Sequence, residues 1–411
     1  MKIKVKQIYV TFLFVFPILS FQLYNIVYID KQIAKLLYFI FVTIAIIYTA
    51  PRFLKYKINS RYENLIKILF ILIWVSMFNA LFFWGQDLIL SYRATAPYLA
   101  LVYFLVLMSI KPDIQTMEKI IWFYCALFII LWCYGMLKAP QIIYAFDADT
   151  TMDDSRGIFR LALPGRGFLV LGFFLAVSKY VQLKQNKWLV LLAFLFVIIV
   201  FQVTRQIIAI SFLVSVVYIL RNNKVALIAT IILMIFLMMG GNAIDFQKNS
   251  TIGNMVNLTL DQLTSQKSGD DNVRLLEYNY FLTNYSKNMI TDIFGNGIPH
   301  FQSSFGLKEI SIREQFSYFM SDVGYAAIFV RFGVIGLVLY LFVFVKAAFQ
   351  KVDKQYIYAK LFIIYLAIAN VTAAWVFEDV ISLCICLYIL EQYNIYIKEK
   401  TLISANGERN N

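Results

Sequence analysis

Residues 188–220 read WLVLLAFLFVIIVFQVTRQIIAISFLVSVVYIL, two apolar arms meeting at Thr204-Arg205-Gln206. As one long helix this stretch would cross a bilayer once, with Lys184 and Lys187 before it and Arg221 and Lys224 after it on opposite sides. Cytoplasmic loops carry the excess of lysine and arginine, so a single crossing would misplace one cluster and invert every later span. A hairpin turning at Thr204-Arg205-Gln206 keeps both clusters inside. Each arm is then about 15 residues, roughly 23 Å at 1.5 Å per residue, shorter than a hydrocarbon core of about 30 Å. Arg205 is therefore expected below the outer surface.

Composition points the same way. Of 411 residues, 61% are hydrophobic, 17% aromatic and 15% charged; soluble chains sit near half apolar and a quarter charged. A single globular core stops growing near about 250–300 residues. An ordinary soluble enzyme, a disordered chain and a disulfide scaffold are thereby excluded. Twelve apolar stretches approach or reach crossing length: 8–29, 33–50, 65–84, 93–110, 119–138, 163–181, 188–203, 207–220, 224–240, 319–345, 357–375 and 380–397. The expected fold is an all-α polytopic membrane protein of about 12 transmembrane helices with cytoplasmic N- and C-termini. Residues 1–240 form a bundle of about nine spans with an external loop at 139–162; 241–318 form a large external loop; 319–411 hold three spans and a cytoplasmic tail. The start, Lys2-Ile3-Lys4-Val5-Lys6, resembles a signal peptide, but the apolar run is too long and lacks a small-x-small cleavage site, so a retained anchor is expected.

With alternating crossings, 22 of the 37 basic residues but only 7 of the 24 acidic ones fall inside. The net charge of +13 is thus a topology signal, and no nucleic-acid partner is expected. The four cysteines, Cys125, Cys133, Cys384 and Cys386, all lie in apolar runs, and there is one histidine. Neither a disulfide framework nor a metal cluster is suggested, and no cofactor is expected.

Lysine and arginine are distributed differently. Of 25 lysines, 18 are inside, whereas 8 of 12 arginines are outside or in the outer half of the membrane: Arg93, Arg156, Arg160, Arg166, Arg205, Arg274, Arg313 and Arg331. Arginine's planar five-donor fork grips phosphate bidentately. An arginine at mid-membrane depth costs about 2.5–3.5 kcal/mol on insertion scales, and such residues face a bundle interior or a wet cavity. Arg205 and Arg331 fit that description; the competing reading is snorkelling to the interface, strongest for Arg93 at a span mouth. A cationic hollow on the outer side calls for an anion such as a lipid-linked pyrophosphate, whose charge as a leaving group arginines can neutralise without a metal.

Within the large outer loop, Asp270-Asp271-Asn272 offers N-caps to an amphipathic helix over 273–282, and Gly295-Asn296-Gly297-Ile298-Pro299 breaks the chain. Asp147, Asp149, Asp153 and Asp154 in the first loop lack EF-hand spacing.

The stretch from Arg274 to Leu341 resembles the O-antigen polymerase (Wzy) and O-antigen ligase superfamily. It carries an Arg-x-x-Glu-Tyr helix, Phe294-Gly295-Asn296-Gly297, and Ser321-Asp322-Val323-Gly324-Tyr325 running into Phe332-Gly333-Val334-Ile335-Gly336-Leu337. Thr204-Arg205-Gln206 resembles the family's arginine between two central spans. Arg156 to Gly167 and Arg313 to Gly324 each match the polymerases' Arg-x(10)-Gly pattern. The resemblance implies a GT-C-like, metal-independent membrane glycosyltransferase of the bacterial inner membrane, acting on its periplasmic side. Its donor would be a glycan on undecaprenyl (polyisoprenyl) pyrophosphate, its acceptor a hydroxyl of another lipid-linked repeat unit, and its product O-antigen, capsule or exopolysaccharide. Membrane lipids and a chain-length regulator are the further partners. The alternatives are a ligase transferring polymer to lipid A–core and, from another class, a flippase or transporter of lipid-linked oligosaccharide. Ligases carry a His-Asn pair where this chain has Ser321-Asp322, and transporters tend to show related halves and short loops.

The acceptor hydroxyl needs a base or an orienting acceptor. Asp322 is one candidate, or else an N-cap for the tenth span. His300 is the only group titrating near neutrality, or else an ordinary surface residue. Glu277 shares a helix face with Arg274, as its partner or as a base. Arg156, Arg160 and Arg166 either hold phosphate or balance the loop's aspartates.

Overall fold

The computed structural model describes residues 2–55, 60–138, 141, 143–144, 161, 163–202, 204–222 and 273–408. The expected ninth span at 224–240, the caps at 270–272, and Arg156 and Arg160 lie outside the described residues.

Among the described residues the chain is helical, with one isolated bridge between Ile26 and Tyr144. The helices are α1 (Lys2–Ser20), α2 (Lys31–Phe53), α3 (Glu63–Trp84), α4 (Leu88–Leu99), α5 (Val102–Ile110), α6 (Ile114–Lys138), α7 (Arg166–Leu183) and α8 (Asn186–Phe201). They continue as α9 (Arg205–Asn222), α10 (Val273–Thr283), α11 (Met289–Phe294), α12 (Ser304–Phe316), α13 (Gly324–Phe349), α14 (Ile357–Ala369), α15 (Trp375–Glu378) and α16 (Val380–Glu408). Six, namely α2, α3, α6, α7, α13 and α16 over Val380–Glu399, are long and apolar enough to cross a membrane; the bent pair α4 and α5 makes up to seven. The chain is a multi-pass membrane protein.

Lipid and core sort the apolar residues. α7 is buried without a gap from Gly167 to Ser178, as a helix apolar on every side must be at a bundle centre. α2 instead leaves Ile33, Leu37, Ile40, Ile44 and Ile47 exposed. Their spacing of three and four residues is one helix face, which water would penalise and hydrocarbon does not.

The hairpin forms. Phe196 on α8 and Phe212 on α9 have ring centroids 5.6 Å apart, whereas a straight helix would separate them by about 24 Å. Four other expected spans differ in detail. The 93–110 span bends by 50° between α4 and α5, where the Ala100, Leu101, Tyr103 and Phe104 N–H groups bond the carbonyls three residues back, the tighter 3-10 pattern. The 319–345 span is broken at Gly333, whose φ of 69° and ψ of −175° are open essentially only to glycine. The 357–375 span ends at Ala369, and the chain turns through Asn370–Ala374 into the one-turn α15. The first span also stops early, with a 3-10 turn over Gln22–Asn25.

Hydrogen bonds sort the helix ends into two sets. At the lysine-rich end, buried Glu63 pairs with Arg52 at 2.6 Å and Lys67 at 2.9 Å. There Glu391 accepts from the backbone N–H groups of Arg61 and Tyr62, and Lys346 donates to the Arg61 carbonyl at 2.8 Å. At the other end meet the start of α7, the α8–α9 turn, the α14–α15 turn and the α10–α12 segment, with Arg166, Arg205, Arg274, Arg313 and Arg331.

Candidate functional site

The turn Trp375-Val376-Phe377-Glu378 organises the arginine end. Buried Asn370 accepts the Val376 N–H at 3.2 Å, and Ser321 accepts the Ala374 N–H at 2.8 Å through its carbonyl. Trp375 and Phe377 are two residues apart, about 200° round a helix, so they project to opposite sides.

Arg166 lies on the Trp375 side, its guanidinium carbon 4.0 Å from the ring centroid. It donates to Glu378 at 3.3 Å and to the hydroxyl of Thr204, in the hairpin turn, also at 3.3 Å. Its side chain is 12% exposed against 62% for Glu378. Gln206, one residue beyond Arg205, is hydrogen-bonded by Thr372. The hairpin turn, the start of α7 and the α14–α15 turn thus share one polar seam, and Arg205, between Thr204 and Gln206, is half-buried.

Arg331 lies on the Phe377 side, its guanidinium carbon 4.8 Å from that ring and 5.3 Å from Tyr98. Its Nε is buried without a partner among the described residues. The Gly333 break positions it. Carbonyls at the break turn to an extended segment: Val330 accepts the Asn296 N–H at 2.8 Å and Arg331 that of Gly297 at 3.2 Å. Irregular backbone at membrane depth is tolerated where other protein groups satisfy it. Asn79 donates to the Gly295 carbonyl at 2.8 Å, and Trp84 to the Asn296 side chain at 3.2 Å. A Cβ on Gly297 would stand 2.4 Å from the Ser76 carbonyl oxygen; only glycine fits between α3 and α13 there.

Glu309 links two further arginines. It is 3.9 Å from Arg313; burial pushes its carboxyl above the usual range while Arg331 and Arg313 pull it down. Arg313 itself is exposed and caps Phe319. Arg274 is exposed on α10. Its neighbour Glu277 is 2% exposed and accepts the Phe319 N–H at 2.9 Å. Burial raises the Glu277 carboxyl, the Phe319 N–H opposes that, Asp322 adds to it and Arg274 opposes it.

Asp322 is half-buried and accepts from Ser321 at 3.1 Å. The N-cap of α13 is Val323, without a side-chain cap, so the expected capping role does not occur. His300 lies apart, near Arg93. Burial, then Arg93 and Lys35, lower its pKa, and its Nδ1 accepts the Gln302 N–H at 3.3 Å. The neutral ring therefore carries its proton on Nε2 and presents a donor, not a base. Arg93 is exposed.

No protein-family model matches the sequence, and a search of curated proteins returns no match.

The structure thus brings Arg166 and Arg331 to one turn, keeps Arg205 in the adjoining hairpin turn and exposed Arg274 and Arg313 on α10 and α12, and leaves Arg93 with His300. Sequence reading missed the turn itself: Trp375, Phe377, Glu378 and Asp379, with Tyr98 and Glu309. The signal was present as two adjacent acids, Glu378-Asp379, between apolar stretches. Asp379 is 5% exposed; its carboxyl abuts Gly167, where a Cβ would stand 2.4 Å from Oδ1. Burial pushes it up to about 7 despite Arg166. A cavity of about 390 Å³ lies at the opposite end, lined by Lys111, Asp113, Tyr356 and Tyr393 among others, and takes no part in this site.

Proposed function

We propose that this chain is a polysaccharide polymerase of the bacterial cytoplasmic membrane, a metal-independent glycosyltransferase of the Wzy type. It moves a glycan from an undecaprenyl pyrophosphate donor to a hydroxyl of another lipid-linked repeat unit, on the external face. The observation that carries the reading is the pair of guanidiniums, Arg166 and Arg331, held on aromatic rings on either side of one turn, with Arg205 in the adjoining hairpin turn. Cations placed this way in a membrane bundle are costly and call for an anion. A pyrophosphate with its tail in the bilayer reaches Arg331, whose Nε has no partner among the described residues, from the side, and its charge as it departs is what that guanidinium neutralises.

In this reading α1, the short arms α8 and α9, the short α14 and the stretch 224–240 complete twelve crossings, with both termini and the lysine-rich end in the cytoplasm. The bundle is GT-C-like. Ser321-Asp322 in place of the ligases' His-Asn pair favours polymerase over ligase.

The test is Arg205→Ala in cells. Chain extension is lost, leaving single repeat units, while membrane insertion and protein level match wild type. Full-length polymer from the variant refutes the reading.

A further inference from the structure

Two features of the Trp375–Glu378 turn are not used by pyrophosphate binding. One is a carboxylate: Glu378 sits on Arg166 with its side chain 62% exposed, and a carboxylate beside a departing pyrophosphate would repel it. The other is a set of empty donors. Trp375 is 6% exposed and Gln202 4%, yet Trp375 Nε1 and Gln202 Nε2 have no partner among the described residues. A buried donor without a partner costs about 1–3 kcal/mol. Gln202 is tied to the same seam, because its carbonyl accepts from Thr204 at 3.2 Å, and Thr204 accepts from Arg166. A carboxylate acceptor beside two buried donors on one seam matches a sugar, whose hydroxyl groups both donate and accept, whereas an ionised phosphate only accepts.

We propose that the Trp375 side of the turn is the acceptor subsite and that Glu378, held by Arg166, is the general base of the transfer. The inference rests on the transferase reading and deepens it, dividing the turn into a donor side at Arg331 and Phe377 and an acceptor side at Arg166 and Trp375. In the step, the acceptor hydroxyl oxygen forms a bond to the anomeric carbon. The bond from that carbon to the pyrophosphate oxygen breaks, and its electron pair leaves with the pyrophosphate. The hydroxyl proton passes to a Glu378 carboxylate oxygen and from its exposed side to water. Arg166 is a positioning residue: its Nη1 and Nη2 are directed to Thr204 and Glu378. Glu277 is a poorer base, because it is 2% exposed whereas the Glu378 side chain is 62% exposed.

The experiment uses full-length protein in nanodiscs with undecaprenyl pyrophosphate-linked repeat units extracted from a strain lacking this gene. Wild type, Glu378→Gln, Glu378→Asp and Trp375→Phe are compared for dimer formation across pH. Glu378→Gln replaces one exposed atom, so the fold is kept, and size-exclusion elution checks that. The expected loss in kcat is about 10²–10⁴-fold, the usual worth of a general base, with loss of the acid limb of the pH profile. Glu378→Asp restores part of the rate together with that limb. Trp375→Phe raises the KM for repeat units and keeps the acid limb of the pH profile. Polymer from wild type with Glu378→Gln undiminished, or slowed with an unaltered pH profile, overturns this proposal and leaves the transferase reading standing. No product from wild type overturns both.

Discussion

Removing the Asn296 side chain tests whether the Gly295–Gly297 segment holds the broken helix α13 open. Asn296 is fully buried. Its Oδ1 accepts from Trp84 Nε1 at 3.2 Å, and its Nδ2 donates to Ser286 Oγ at 2.9 Å and to the Val330 carbonyl at 3.1 Å. Asn296→Ala orphans the indole N–H, which costs about 1–3 kcal/mol. Val330 keeps the backbone N–H of residue 296, and half-buried Ser286 gains water, so these two losses add only about 0.5–1.5 kcal/mol together. The expected destabilisation is therefore about 2–4 kcal/mol. The assay is reversible unfolding in mixed micelles with rising SDS, read by tryptophan fluorescence. Hydrogen exchange then locates the loss, with α11 and the N-terminal half of α13 opening first and the lysine-rich end unaffected. A loss below about 1 kcal/mol, the worth of one ordinary hydrogen bond, or an opening spread evenly over the bundle, refutes the reasoning.

Two further predictions use the same end of the molecule. Asp379, with its pKa raised from 3.8 to about 7, binds more protons folded than unfolded between those values. Stability therefore falls as pH rises from about 4 to about 7, by at most roughly 4 kcal/mol; Asp379→Asn flattens this slope in the same assay, and an unchanged slope refutes the assignment. Gly333→Ala places a Cβ 2.2 Å from the Ile293 carbonyl oxygen, whereas Gly85→Ala, also at positive φ, meets nothing within 4 Å. The first is expected to prevent recovery of folded protein from membranes and the second to cost about 1 kcal/mol; equal yields would refute the close approach of α11 to α13.

How much of this was legible depended on range. The hairpin at Thr204-Arg205-Gln206 could be read because it follows from charge on both flanks, and the ring contact of Phe196 with Phe212 agrees with it. Hydrophobic runs located α2, α3, α6, α7, α13 and α16 within a few residues, since bilayer thickness sets helix length. The same runs did not record the bend within 93–110, the break at Gly333 within 319–345 or the early end of 357–375 at Ala369. An apolar run records solvent preference and not straightness, and Gly333 alone does not announce that a distant Gly-Asn-Gly segment will satisfy the broken ladder. Arginines were legible as a compositional asymmetry, but their grouping was not, because it depends on contacts such as Arg166 to Glu378, 212 positions apart.

The turn at Trp375–Asp379 shows why the missed residues matter most. Arginine alone in a membrane could snorkel, and exposed Arg93, Arg274 and Arg313 have room to do so. Arg166 and Arg331 do not, because each lies against an aromatic ring of the same turn. Fixing a guanidinium on a ring gives up side-chain entropy of about 2 kcal/mol, and a cation–π contact returns about 0.5–2 kcal/mol. The two nearly cancel, so the stacking adds little to stability. What it adds is a fixed direction for the donors: those of Arg166 point to Thr204 and Glu378, and in the proposed transfer the pre-set direction of Arg331 is what stabilising a departing charge requires. A turn that served stability alone would gain more from leucine at 166 and 331 than from two oriented cations.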